Sequence, residues 1–545
     1  MQRNLRRLSD TTFDLIVIGA GIYGATIAWD AALRGLSVAI IDRADFGSGT
    51  SFNSLKTIHG GVRELQSGNV FALRQFVRER RSLSRIAPHL IRPLPFIMPT
   101  YGHLSRHRKV LQLGFALNDL LAFDRNFHTD PSQQLPPSRL LSREECLLLN
   151  PLIDPDGVTG GIEWHDCQMR NSDRLNLSFI VSAVMQGAVA ANYVECIGAL
   201  KHGQRIEGIS VHDRLNGARF DVRGRVVVNG AGPWSVELLK TLVPDFKHTV
   251  PQGFSRAMNV LFSNPMEGKH ALGGTVSSRL LFAVPWRGFT LVGTSHDSFN
   301  GSTAGFCPTR AHIESFLRDI NIAFPNLNIT ADNVRLLHRG LLPTDSANDN
   351  AIKLLKQSPV VDHRANGVDG LLSVLGVRYT TARHTAQKAV DVVFSLLGRR
   401  SPTCKTDTTP LVGADFDNLT DFLRSTERRE TAGVRKETQK RLALSYGTKH
   451  DQLLNAISTH LTDRMELSSA CQITRAEIRH AVTSEMAVHL TDAMLRRTEA
   501  GSAGHPGDDA LRAAASIMSE ELNWSPTRTE EEIIDAQHAY FIPSV

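Results

Sequence analysis

The period of the apolar positions changes along this chain, and each change marks a structural unit. Phe13–Ile18 is an almost unbroken run of large apolar residues. Such a run predicts a strand buried on both faces of a parallel sheet. Gly19-Ala20-Gly21-Ile22-Tyr23-Gly24 follows at once, and Ala25–Leu33 has helical spacing that Gly35 ends. Ser37–Ile41 is a second strand, and Asp42 closes it. Strand, glycine turn, helix, strand and acid in this order form a βαβ unit with a dinucleotide fingerprint. Gly19 permits the tight turn, Gly21 lets backbone approach a pyrophosphate, Gly24 lets helix and strand pack, and Asp42 can accept from a ribose.

The strand–glycine turn–helix pattern returns twice, in RVVVNGAGPWSVELL (225–239) and GLLSVLGVRYTTARHTAQKAVDVVF (370–394). Between these units, HALGGTVSS, RLLFAVPW and GFTLVGTS alternate as antiparallel strands do. Residues 401–418 are rich in turn formers and read as a linker into a helical region. Residues 105–123, SRHRKVLQLGFALNDLLAF, begin basic and continue apolar at helical spacing. That pattern fits a core-packed helix with a charged cap or a helix lying on an anionic membrane surface.

At 545 residues the chain exceeds one ordinary core. A net charge of +6 favours anionic small molecules or surfaces, and no nucleic-acid motif accompanies it. The six cysteines are dispersed without a CxxC, which fits neither a zinc site nor a disulfide scaffold and suggests a reducing compartment. The basic N-terminus is not followed by an apolar run with a cleavage site, and glycines interrupt the first apolar segment. The expected location is cytoplasmic, with peripheral attachment to the inner face of the cytoplasmic membrane as the extension of that reading.

The stretch after Asp42, ADFGSGTSFNSLKTIHGGVREL, is rich in Gly, Ser and Thr where a nicotinamide domain would continue its alternation. Flavoproteins of the glutathione-reductase type run such a loop along bound FAD, and the two later units return to the same site. The expected cofactor is therefore FAD. Its expected contacts are Gly19, Gly21, Gly24, Asp42, Gly49, Thr50, Ser51, His59, Gly60, Gly232, Thr380 and Thr381. The expected fold is an α/β FAD-binding Rossmann-like domain of the glutathione-reductase type (13–70, 175–245 and 365–400). An antiparallel-sheet substrate domain (71–174 and 246–364) and a C-terminal helical domain (415–545) complete it.

Six segments in order, VIGAGIYGATIAWDAALRGLSVAIIDRADFGSGTS, LKTIHGGVREL, NGAGPW, FAVPWRGFTLVGTSHD, GLLSVLGVRYTTARHTAQKAVD and SEMAVHLTDAMLRRT, resemble the FAD-dependent respiratory glycerol-3-phosphate dehydrogenases. The wider superfamily contains amino-acid and glycine oxidases, and the last segment resembles the helical extension of the glycerol-phosphate enzymes. The resemblance implies hydride transfer from a substrate C–H to the flavin while a base takes the alcohol proton. It also implies a small anionic substrate, sn-glycerol 3-phosphate first, and quinone or another electron acceptor; oligomers and a membrane surface are compatible with it.

Candidate catalytic residues are His59, Arg63, Arg256 and Arg378. The substrate-side motifs depart from the family pattern. HGGxRYL becomes HGGVREL, placing Glu64 where a phenol is expected, and KGSH becomes Arg256-Ala257-Met258-Asn259. GxRP becomes Gly340-Leu341-Leu342-Pro343, and GGKLTT has Arg378 in place of lysine. The departures leave open another polyol phosphate, a hydroxy acid or an amino acid as substrate, or a flavin-binding paralogue with altered catalysis. His296 and His338, and Asp166 and Arg174, are expected to be structural.

Overall fold

A computed structural model describes the chain except residues 102–107, 247–252, 267, 278, 300, 304–305, 346–351, 430–432 and 544–545. Two large sheets organise it. The first has a parallel centre in which Thr12–Ile18 lies between Val38–Ile41 and Arg219–Asn229. Val189–Ala191 extends it beside Val38–Ile41, and Leu371–Val374 extends it beside Arg219–Asn229. The strands Thr12–Ile18 and Arg219–Asn229 end in buried branched residues because helices cover both sheet faces. The helices Ile22–Leu33, Ser172–Met185 and Ala382–Leu396 pack their buried faces on one side of this sheet.

The second sheet holds Ile91–Thr100, Gly160–Met169, Gly253–Phe262, Ala271–Val276, Arg279–Trp286, Phe289–Phe299 and Val334–Thr344. Its pairings are antiparallel except one, where Ala271 and Leu272 run parallel to Phe96 and Ile97. Two short strands cross the expected sequence limits. Thr57–Ile58 pairs with Gln168 and Cys167 in the second sheet, and Val360–Asp362 pairs with Leu371–Val374 in the first. Both follow from the chain passing between the sheets at those points. Residues 401–418 contain no helix or strand, as the turn composition predicts, and the C-terminal region is helical apart from the hairpin Glu466–Ser468 and Cys471–Thr474.

A buried ionic cluster ties the C-terminal region to the loop after the second strand. Asp45 accepts from Arg496 Nε at 2.6 Å and from Arg497 Nη2 at 2.6 Å. The two arginines more than offset the burial that would otherwise raise the Asp45 carboxyl, so it stays well below the usual range. Arg174, expected to be structural, makes a buried pair with Glu485 at 2.6 Å.

Candidate active site

The dinucleotide cradle begins at the C-terminal ends of the parallel strands. Gly19 has φ +100°, and a Cβ there would stand 2.6 Å from the Gly230 carbonyl oxygen, so two glycine turns lie back to back. A Cβ on Gly24 would stand 1.8 Å from the Gly19 carbonyl oxygen, which fixes the helix against its strand. Gly21 is the N-cap of Ile22–Leu33 and supplies no side chain, leaving the helix start open to a phosphate. Asp42 closes the second strand as predicted. Its carboxylate accepts from Ala20 N at 2.7 Å and Ala44 N at 2.9 Å, and burial pushes its pKa up to about 6.

The polar loop lies between the two sheets. Ser51 Oγ accepts from Ile22 N at 2.9 Å, which brings this serine beside the helix start and leaves the following N–H groups to face a phosphate. Thr50 packs against Gly340, and a Cβ on Gly49 would meet Trp234 at 2.9 Å, beside the Gly232 turn. The open helix start, the Asp42 carboxylate and these close backbone approaches fit a bound dinucleotide.

At the far end, Tyr23 joins the fingerprint to the turn after the last parallel strand. Its hydroxyl donates to the Arg378 carbonyl at 2.8 Å and accepts from Arg378 N at 3.1 Å. A Cβ on Gly376 would meet the Tyr23 ring at 2.6 Å. Buried Thr380 and Thr381 follow in a 3-10 turn that leads into Ala382–Leu396. This placement of the two threonines at a helix start matches the sequence expectation.

His59 stands on the loop leaving Thr57–Ile58. Its Nδ1 lies 3.3 Å from Asp166 Oδ2, while Gly60 N and Arg80 Nη1 donate to Asp166 Oδ1 at 2.7 and 2.5 Å. Burial raises the Asp166 carboxyl, but His59 and Arg80 outweigh it and hold the pKa below the ordinary value. Asp166 is fixed on three sides and can orient the His59 ring, whose Nε2 has no hydrogen-bond partner among the described residues. The structure thus places Asp166 against His59, a pairing that no spacing in the sequence reveals.

Arg63 and Arg378 are brought together. The Arg63 guanidinium lies 5.3 Å over the Phe282 ring and donates to the Leu280 carbonyl at 3.1 Å. The surrounding protein and the neighbouring Arg378 lower its pKa, although the side chain keeps contact with solvent. Arg378 Nη1 is 2.7 Å from Glu64 Oε1.

Arg256 does not join them, which corrects its assignment as a catalytic candidate. It pairs across from Leu341, while the neighbouring Ser255 and Ala257 pair with Leu342 and Gly340 on the other sheet face. Strand alternation turns Arg256 away, and its guanidinium contacts His312 at 2.6 Å and lies 5.2 Å over Phe299. Arg339 shares the Arg256 side and reaches Cys307, so it does not replace the arginine missing at Leu342. Asn259 is buried, donates to the Asn53 carbonyl at 3.1 Å and accepts from Thr294 at 2.7 Å, so it braces the polar loop.

His296 faces the inner side, 3.1 Å from Ser255 Oγ. Burial, helped by Arg63 and Arg279, pushes its pKa down to about 4, so it is neutral near pH 7. His338 is fully buried against Phe52 and its pKa is lowered by burial. Lys56, which sequence reading passed over, is also fully buried; it donates to the Phe52 carbonyl and to Ser172 Oγ at 2.9 Å.

The FAD dependent oxidoreductase family matches residues 14–391, and the C-terminal domain of alpha-glycerophosphate oxidase matches residues 404–529. The chain is 30% identical to a glycerol-3-phosphate dehydrogenase of Synechocystis sp., over 97% of both chains. It is 29% identical to one of Mycobacterium leprae, covering 97% of this chain and 88% of that one. The crystal structure of glycerol-3-phosphate dehydrogenase from Bacillus halodurans with FAD has a TM-score of 0.76 at 24% identity, covering 98% of this chain and 95% of that one. It shares the fold. With an FAD-dependent domain and a glycerophosphate-type C-terminal domain in one chain, this protein belongs to the glycerol-3-phosphate dehydrogenase family of FAD-dependent oxidoreductases.

Proposed function

We propose that this chain oxidises the carbinol of a small anionic alcohol, sn-glycerol 3-phosphate to dihydroxyacetone phosphate being the representative reaction, and passes the electrons to quinone. The observation that carries this is that the Asp166-held His59 and Arg63 both lie against the Phe282 ring, at 5.9 and 5.3 Å. FAD, when bound, supplies the two-electron acceptor for the substrate hydride. Arg63 binds the anionic end and fixes the carbon skeleton. His59 takes the hydroxyl proton at Nε2, and Asp166 stabilises the resulting imidazolium. Anaerobic addition of sn-glycerol 3-phosphate to the FAD-loaded protein is expected to bleach the flavin absorbance. Bleaching by amino acids alone would overturn the reading in favour of an amine oxidase.

A membrane surface fits the same role for a quinone-linked enzyme. Phe71 is 91% exposed and Leu113, Leu120, Phe123 and Phe127 are also exposed, on and beside the helix Arg108–Leu121. Exposed apolar side chains on the helix Arg108–Leu121, in the segment after it and at the start of the helix Val70–Ile86 suit insertion at a headgroup boundary. The basic start predicted for this helix at residues 105–107 lies outside the described residues. No helix among the described residues is long and apolar enough to cross a membrane. Co-sedimentation with anionic vesicles, lost in Phe71→Ser/Leu120→Ser, tests the attachment.

A further inference from the structure

We infer that the Glu64–Arg378 pair is a specificity element, which makes this site favour an alcohol bearing a monoanionic carboxylate over one bearing a phosphate dianion. The inference rests on the alcohol-oxidising reading above. Glu64 belongs to the turn Val62–Ser67, and Arg378 lies 314 residues later on the turn after Leu371–Val374. Their side chains meet at 2.7 Å, with Glu64 13% exposed and Arg378 36% exposed. Phe76 backs the Arg378 guanidinium at 5.0 Å.

The pair changes the charge that an incoming anion meets. Arg378 is already neutralised by Glu64. Arg63 has no carboxylate of the described residues within 4.0 Å. His296 adds no charge near pH 7, and Leu342 presents an apolar side chain on the same sheet face as Ser255. His59 is matched to Asp166, which Arg80 shares. Among these described residues Arg63 is the cation left without a carboxylate, and its planar fork suits bidentate carboxylate binding. A phosphate monoester carries about 1.5 to 2 negative charges at pH 7. Its excess charge would lie near the Glu64 carboxylate in a partly desolvated site, which is unfavourable. Three-carbon hydroxy acids such as glycerate and lactate match the single charge. Their oxidation converts H–C–O–H to C=O, delivering a hydride to FAD and the hydroxyl proton to His59.

The test uses the FAD-loaded full chain. Anaerobic bleaching is titrated with sn-glycerol 3-phosphate, glycerate and lactate, and perturbation of the flavin absorbance is titrated with inorganic phosphate and acetate, which do not reduce it. The expected result is half-saturation by a hydroxy acid at a concentration at least ~10-fold below that for sn-glycerol 3-phosphate, with acetate binding more tightly than phosphate. Glu64→Gln, which frees Arg378, is expected to shift both ratios toward the phosphate ligand by ~10-fold or more. Glu64→Tyr/Arg378→Lys should shift them the same way and serves if the single variant loses FAD. Tighter binding of the phosphate ligands by the unaltered protein, or ratios unmoved in FAD-loaded variants, would overturn the inference. If none of the alcohols bleaches the flavin, the proposed function fails, and the acetate and phosphate titrations still decide the charge preference.

Discussion

Nδ1 of His59 lies 3.3 Å from Oδ2 of Asp166, a residue 107 positions later on the strand Gly160–Met169. That carboxylate is buried and receives two further donors, so its orientation does not depend on solvent. Asp166→Asn would remove the charge that supports a protonated His59. Flavin reduction measured by anaerobic stopped flow is expected to slow by about 10²-fold with bound FAD retained. An unchanged rate would exclude His59 as the base held by Asp166.

In the proposed reaction Arg63 is the cation that meets the substrate, since Glu64 occupies Arg378. Arg63→Ala should raise KM by ~10- to 100-fold, the loss of a charge-assisted hydrogen-bond donor, with a smaller effect on kcat. Steady-state kinetics with the best substrate measures it. A kcat loss with unchanged KM would place Arg63 in the chemical step instead.

The Tyr23 hydroxyl fastens the fingerprint helix to the turn at Val377 and Arg378. Tyr23→Phe takes the partner from Arg378 N at a cost of about 1–3 kcal/mol, while Val377 N keeps Ser358 Oγ at 3.2 Å and the Arg378 carbonyl keeps Thr381 Oγ1 at 3.4 Å. The expected outcome is faster FAD release and a lower Tm, followed by flavin fluorescence on dilution. FAD release at the rate of the unaltered protein would show that the two cofactor ends are positioned independently.

Asp45→Asn leaves buried Arg497 without its carboxylate and Arg496 with Asp492 alone, at 2.7 Å. Breaking such a cluster is expected to destabilise the protein by roughly 3–5 kcal/mol. Denaturant unfolding reads this, and early proteolysis of the C-terminal region should accompany it. A change under about 1 kcal/mol would mean that water reaches the cluster.

Burial lowers the pKa of His89 to about 3 and those of His296 and His384 to about 4. Unfolded chains take up protons at these histidines near pH 6.5, while the folded protein does not until far lower pH. Stability is therefore present above pH 6.5 and falls as pH drops through it, by at most about 1.4 kcal/mol per unit for each histidine. Asp42, raised to about 6, acts in the opposite sense between about pH 4 and 6. Thermal unfolding between pH 7.5 and 6 should thus show Tm falling with acidity. A flat profile would show that these rings protonate in the folded state.

The sequence by itself determined the cofactor half. A glycine turn between a buried strand and a helix is a local device, and its three glycines, Asp42 and the threonine helix start read directly because neighbours in the chain are neighbours in space. The antiparallel strands were legible for the same reason, through alternation. Only the tertiary structure decided the substrate half. Arg256 turned outward because strand register sets its face, while Asp166 became the partner of His59 across two paired strands. Glu64 and Arg378 looked like two separate departures in the sequence and proved to be one ion pair, since a side chain's charge is read only with the residue folded against it.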